Sequence, residues 1–386
     1  MTAALTVAAL WVALALIAGL LSYSFRVSAA LMEIVIGVVA QLLLGPEIMG
    51  ADASWIKFLS TVGAVLLTFL AGTEIEPEVL KLKWKEAGSV GFASFLAPFL
   101  ICAGAAHFLL GWGVMGSWLA GLSMSTTSAA VIYAVTLEFG FNKVEYGKTL
   151  LIATFVTDVA TVLALGLTFT PFTMKTLTAV FIAVVVLLAL PKIATPFFRQ
   201  FGGLLSELET KFLLLCLLGM AALATWADSE AVLAGYVVGM VLAGSVGSNH
   251  ELIRRLRTLT FGLLTPFFFI LVGSLVSVPA LIAAPGATIF FFVTKVLTKT
   301  AGIFPVAKHF GSTTREAMYT SLIMSTGLTF GTIAALFGLK HGIIDAGQYS
   351  SLVAAVITTA VIPTIVANIY FLPTHLLPKA PEQENQ

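Results

Sequence analysis

The 386-residue sequence is 59% hydrophobic and 10% charged, with a mean hydropathy of +1.03, which excludes the two or three soluble domains that length alone would suggest. Twenty basic residues stand against 19 acidic ones, a balance that gives no surface for nucleic acid. Cys102 and Cys216 both fall inside apolar segments without disulfide or metal-ligand spacing, so they read as inert small hydrophobes.

Windows of about 17 to 25 mainly apolar residues, each enough to cross a roughly 30 Å hydrocarbon layer as a helix, follow one another along the chain. Thirteen spans are expected, near 4–23, 28–46, 55–73, 87–110, 114–137, 147–170, 176–198, 208–227, 230–248, 256–277, 286–307, 315–338 and 347–371. The first has no basic segment before it and no small-residue cleavage site after it, so it reads as a retained helix rather than a signal peptide. Connections such as PEIMGADAS, EIEPEVLKLKWKE and SNHELIRRLR carry turn residues and charges. Glu74, Glu76 and Glu78 fall in one of these and read as a solvated loop. Alternate connections place fifteen Lys and Arg on one side and three on the other, with Lys295 and Lys299 inside span 11. Positive charge marks the cytoplasmic face, so the N-terminus is expected outside and the C-terminus inside. The chain reads as one transmembrane unit over 1–375, followed by a short disordered tail, 376–386, with no regulatory domain.

Met-Ser-Thr occurs at 124–126 within LSMSTTSAAV and again at 324–326 within LIMSTGLTFG, in spans that must run in opposite directions through the bilayer. Inverted repeats with interrupted helices are a signature of secondary transporters, whose sites lie at the membrane midplane. Ser and Thr hydroxyls compete for backbone hydrogen bonds and Gly327 eases unwinding, so Ser123–Ser128 and Ser325–Thr329 could offer oxygens to a dehydrated cation. These are Thr126, Thr127 and Ser128 in the first run, and Ser325, Thr326 and Thr329 in the second. Small residues that merely let helices approach are the competing explanation.

A charge at mid-bilayer costs at least about 2.5 to 3.5 kcal/mol, so ionisable residues there are functional candidates. Asp158, in ATFVTDVATV, has apolar stretches on both sides and no partner three or four residues away. Such a carboxyl must hold either a proton or a metal ion, and competition between them is enough for exchange. Lys299 lies deep in span 11, and Lys295 shares its helical face. Lys299 is the favoured functional lysine, whereas Lys295 could equally extend to the nearer interface. Glu33, in LMEIVIGVV, is either a funnel residue or an interfacial acid.

With these residues in view, the chain resembles the second family of monovalent cation:proton antiporters, the Kef-type and Na+/H+ exchangers. The resemblance rests on MEIVIGVVAQLLLGP, LSMSTTSAAVIYAVTLEFG, ATFVTDVATVLAL and LTKTAG, and runs over nearly the whole chain. It implies an all-α fold of inverted repeats with two crossed discontinuous helices. A core mainly over 87–170 and 286–371 would move, elevator-like, against a dimerisation panel mainly over 1–73 and 176–277. It also implies a homodimer among membrane lipids, in a prokaryotic inner membrane, with no resident cofactor beyond the transported Na+ or K+ and H+. Asp158 then matches the ion- and proton-carrying aspartate, Thr127 and Ser128 the broken-helix pair, Lys299 the core lysine and Glu33 the glutamate of its helix. Two departures follow. Electrogenic relatives have two adjacent acids where this chain has Thr157-Asp158, and MSTGLTFG lacks the Arg and Glu of many relatives. The nucleotide-binding domain of Kef-like relatives is not expected here. One acid per site points to electroneutral one-for-one exchange.

A sodium-coupled symporter of a small organic anion is the alternative, and would need a basic group such as Lys299 at the midplane. A channel filter, a pair of aspartyl-protease acids and an enzymatic nucleophile with its base are not apparent.

Overall fold

A backbone in hydrocarbon must satisfy its own N–H and C=O groups, and this apolar chain does so as helices. The computed structural model describes residues 2–25, 29–74, 77–169, 174–202, 207–227, 231–246, 249–275 and 285–377, and all its secondary structure among them is helical. The first half comprises α1 (Thr2–Phe25), α2 (Ala29–Met49), α3 (Ser54–Thr73), α4 (Pro77–Phe108), α5 (Val114–Ser125), α6 (Ala129–Glu138), α7 (Glu145–Phe169) and α8 (Met174–Phe201). There follow α9 (Leu208–Trp226), α10 (Ala231–Val246), α11 (His250–Leu259), α12 (Thr265–Ser274), α13 (Pro285–His309), α14 (Thr314–Ile323), α15 (Thr329–Lys340) and α16 (Ala346–Val366). Residues 378–386, most of the expected tail, lie outside the described residues.

Eleven stretches are long and apolar enough to cross a membrane, with α5–α6 and α11–α12 each counted once. The other two expected spans coincide with shorter apolar helices, Ala231–Gly244 and Phe330–Leu339. Length and composition alone thus account for eleven of the thirteen.

Two expected connections are helical instead. α4 starts at Pro77, ten residues before the expected start, so the charged stretch PEVLKLKWKE forms its first turns. Proline suits a helix start because its missing N–H would be unpaired there anyway. α11 takes in HELIRRLR, with the Asn249 side chain accepting from the Leu252 N–H at 3.1 Å. Leu252 and Leu256 are buried while the Arg254 side chain is 78% exposed, as an amphipathic helix on a surface requires. A π turn at Thr260–Leu264 carries the chain from α11 into α12.

α2 packs on α1 and α12, and α3 on α10 and α12. Elsewhere α4 packs on α5, α7 and α13, while α15 packs on α5 and α16. α6 lies between these sets, touching both α3 and α7. The α3–α10 contact is backbone to backbone: a Cβ added at Gly239 would stand 2.2 Å from Phe69 O. Only glycine permits that approach, which supplies the dispersion contact that holds helices together in lipid.

The Glu74 loop reading is corrected by this packing. The Glu74 side chain is only 17% exposed and forms an ion pair with Arg257, because α11 folds back over the end of α3. Glu76 lies outside the described residues, and Glu78 is exposed in the first turn of α4.

Candidate functional site

Both polar runs interrupt helices. α5 ends at Ser125, Thr126 turns extended (φ −63°, ψ 151°), and Ser128, also extended, caps α6 by accepting from the Val131 N–H. In the second run α14 ends at Ile323 and α15 restarts at Thr329, with Met324 to Leu328 in between. Hydroxyls at the chain breaks explain the unwinding. Ser125 Oγ and Thr126 Oγ1 donate to Leu122 O and Ser123 O at 2.8 and 2.9 Å. Ser325 Oγ and Thr326 Oγ1 do the same to Ser321 O and Ile323 O, both at 2.8 Å. The carbonyls at each helix end are thereby satisfied without another helical turn.

The two breaks cross in direct contact. Thr127 Oγ1 donates to Met324 O at 3.1 Å, and Ser123 Oγ to Gly331 O at 2.7 Å. The paired polar runs therefore do more than thin the helices for packing. Thr329 opens α15, but its side chain lies outside those described.

Asp158 sits in the middle of α7 with 4% exposure, and among the described residues its Oδ1 has no hydrogen-bond partner. The charge of Lys299 reaches it electrostatically, without an ion pair between them among the described residues. Thr157, fully buried beside it, donates to Gly91 O of α4 and to Ala153 O of its own helix, both at 3.1 Å. With its proton committed, that hydroxyl has only lone pairs left to offer, which suits a cation ligand.

Lys299 is placed differently from an acid's partner. Its Nζ donates to Ser94 Oγ at 2.7 Å, to Ser125 O at 2.8 Å and to Thr127 Oγ1 at 2.8 Å. All three donors of the ammonium are used, and they tie α13 and α4 to the first break. Lys295 does not extend to an interface. It is fully buried, and its Nζ lies against Gly327 in the crossing, because α13 aims both lysines inward. Glu33 is 9% exposed in α2, where the charge of Glu138 at the end of α6 reaches it. Glu138 Oε2 in turn accepts from the Ala29 N–H at 3.1 Å.

Two contributors were not singled out from sequence. Ser94, the third ligand of Lys299, is one hydroxyl in an apolar helix with no local signal of its role. Tyr236 of α10 donates to Leu151 O at 2.8 Å, stacks on Phe155 and is within electrostatic reach of Asp158. Only the fold brings it there, 85 residues along the chain from Leu151.

Comparison with known proteins completes the description. The family model described as "Sodium/hydrogen exchanger, transmembrane" matches residues 12–372. The chain is 23% identical over 352 residues to the probable Na(+)/H(+) antiporter 3 of Methanocaldococcus jannaschii, covering 86% of this chain and 89% of that one. It is 24% identical over 402 residues to the Na(+)/H(+) antiporter NhaS4 of Synechocystis, covering 94% and 96%. The Na(+)/H(+)-K(+) antiporter GerN of Bacillus cereus is 22% identical, covering 90% of each chain. In fold, the chain is similar to the sodium proton antiporter MjNhaP1 of Methanocaldococcus jannaschii at pH 8, with a TM-score of 0.72 at 16% identity, covering 95% and 96%.

Proposed function

The chain belongs to the sodium/hydrogen exchanger family, and on that premise we propose how it exchanges a monovalent cation for a proton: Asp158 holds the two in turn. As a cation/proton antiporter it is a secondary transporter, not an enzyme. The observation that carries the proposal is the buried carboxyl of Asp158 on α7, a helix that packs on α5 and α15 at the crossed breaks, with no hydrogen-bond partner for Oδ1 among the described residues.

The cycle follows from charge. Facing one side of the membrane, deprotonated Asp158 takes up Na+ or K+, with the Thr157 hydroxyl and the oxygens of Thr126, Thr127 and Ser128 replacing lost water. Facing the other side it releases the cation and takes up a proton. Each ligand neutralises the same carboxylate, so the loaded unit returns with unchanged charge. One-for-one exchange moves no net charge, and a membrane potential worth about 2.3 kcal/mol per charge per 100 mV does not drive it. The ammonium of Lys299 is committed to three oxygens and stays in place as a strut of the break. That commitment also weighs against the organic-anion symporter, which would need this group free.

The moving unit in this reading comprises mainly residues 87–170 and 286–371, sliding against a panel of mainly 1–73 and 176–277 that pairs two copies of the chain. The arginines and lysines of the Arg254–Arg257 side face the cytoplasm, with the N-terminus outside. Reconstitution into proteoliposomes tests the reading, with proton flux followed under Na+, K+ and Li+ gradients and a voltage-sensitive dye present. Exchange indifferent to an imposed potential is expected for at least one of these ions. Exchange that builds a potential would refute the one-for-one cycle, and proton flux with none of the ions would refute the carrier reading.

A further inference from the structure

Tyr236 ties together two parts of the chain that the proposed cycle moves past one another. It is 2% exposed in α10, its hydroxyl donates to Leu151 O of α7 at 2.8 Å, and its ring stacks on Phe155 with centroids 5.1 Å apart and planes 7° from parallel. Leu151, Phe155 and Asp158 are spaced four and three residues apart, so they share one face of α7. The charge of Asp158 reaches Tyr236, in keeping with that placement. α7 begins at the exposed Glu145, and at about 1.5 Å per residue Leu151 lies about 9 Å and Asp158 about 20 Å along it. The stacked rings thus stand between the exposed start of the helix and its buried carboxyl, on the carboxyl's own face.

The mount of this side chain is rigid. A Cβ added at Gly235 would stand 2.6 Å from Val65 O, and one at Gly72 would stand 2.3 Å from Tyr236 O itself. Thr68 Oγ1 adds a hydrogen bond to Val232 O at 3.0 Å. α10 is therefore held to α3 backbone against backbone at the level of Tyr236, the close approach that small residues permit between helices in lipid. A shift of α7 would part it from Tyr236 rather than carry α10 along.

We propose that Tyr236 is a positioning residue of the exchange: fixed on the panel, its ring meets Phe155 and closes the water path along α7 to Asp158. The inference rests on Asp158 as the carrier and on the division into a sliding unit and a panel. A carboxyl reached by water from both sides at once would pass protons without any cation, so coupled exchange needs one side shut. Two flat apolar faces in contact exclude water between them. They also separate by sliding, and the hydroxyl bond to Leu151 O sets the level at which they meet.

The test compares Tyr236→Ala with Tyr236→Phe in proteoliposomes. Proton leak is read first without alkali cations, as the decay of an imposed pH gradient with thiocyanate present to balance charge. The number of protons moved per Na+ is read next. Phenylalanine keeps the stacked ring, and Leu151 O keeps the N–H four residues on in its own helix, so this variant should hold the gradient as the wild type does and move one proton per Na+. Alanine leaves room for a few waters, at roughly 30 Å³ each, on the face of the unpartnered Asp158 Oδ1. That variant should lose the gradient without any cation and move more than one proton per Na+. A ring that only fills space would lower the melting temperature and leave the vesicles tight. An assembled Tyr236→Ala protein as proton-tight as the wild type would therefore overturn the proposal, and so would an equal leak through Tyr236→Phe. Phe155→Ala, which removes the other ring, serves if Tyr236→Ala does not assemble. If Asp158→Asn still exchanges Na+ for protons, the carrier reading fails by a separate result, whatever the Tyr236 variants leak.

Discussion

Replacing Lys299 by methionine should separate folding from transport. The substitution removes an ammonium that donates at 2.7, 2.8 and 2.8 Å to Ser94 Oγ, Ser125 O and Thr127 Oγ1. Two of the orphaned acceptors are hydroxyls 3.4 Å apart that can bond to each other, and Thr127 keeps its bond to Met324 O. Ser125 O is then the main unsatisfied group, at about 1–3 kcal/mol. Against this, a buried ammonium no longer has to be desolvated, which by itself is worth several kcal/mol. The net loss of stability should stay below about 3 kcal/mol, so the variant should assemble with only a modest drop in melting temperature in detergent. Transport should suffer more, because the same three bonds fix the backbone from Ser125 to Thr127 at the site. Loss of about 1.4 to 3 kcal/mol of positioning lowers the rate by roughly 10- to 100-fold. Proton flux in proteoliposomes, read beside the melting curve, checks both halves. A folded variant with wild-type flux would refute the role of Lys299 as a strut, and complete loss of assembly would refute the stability estimate.

Thr157→Val, nearly isosteric, removes the tie to Gly91 O and one oxygen beside Asp158. Stability should fall by about 1 kcal/mol, and the KM for Na+ should rise several-fold in flux assays while the acid limb stays in place, since a proton needs no second oxygen. Gly239→Ala puts a methyl group 2.2 Å from Phe69 O and 3.0 Å from Gly72 Cα. It should cost about 1–3 kcal/mol of overpacking, seen as a lower melting temperature with an unchanged KM. At the surface, Arg255 binds Glu207 and Glu251, and its hydrogen bond holds the Glu207 carboxyl below the usual carboxylate range. A carboxyl lowered in the folded state stabilises above its unfolded value and loses that contribution as pH falls through the folded one. The gap in melting temperature between wild type and Arg255→Gln should therefore be open at pH 7 and close on acidification below about pH 4.

The spans were legible because hydrocarbon imposes one rule along their length, and most expected boundaries lie within a few residues of the observed helix ends. Both helix breaks were legible too, since runs of Ser, Thr and Gly are conspicuous among apolar residues. Charge misled where it resembled a loop: residues 77–86 and 250–255 are helical because charged side chains also suit a helix emerging at a surface. At the site, Asp158 and both lysines were recognisable as costly, but not what each would touch. Lys299 meets Ser94 across 205 residues and Glu74 meets Arg257 across 183, and no local pattern encodes such contacts. The inward aim of Lys295 depends on the packing of α13 and on the space above Gly327, which only the crossing reveals.

The central claim, that a cation and a proton share Asp158, is tested most directly by proton flux in proteoliposomes of Asp158→Asn under opposed Na+ and K+ gradients. Asparagine keeps the shape and removes the charge, so the account predicts a correctly assembled protein with no cation-driven proton flux at any pH. Undiminished exchange by that variant would contradict it.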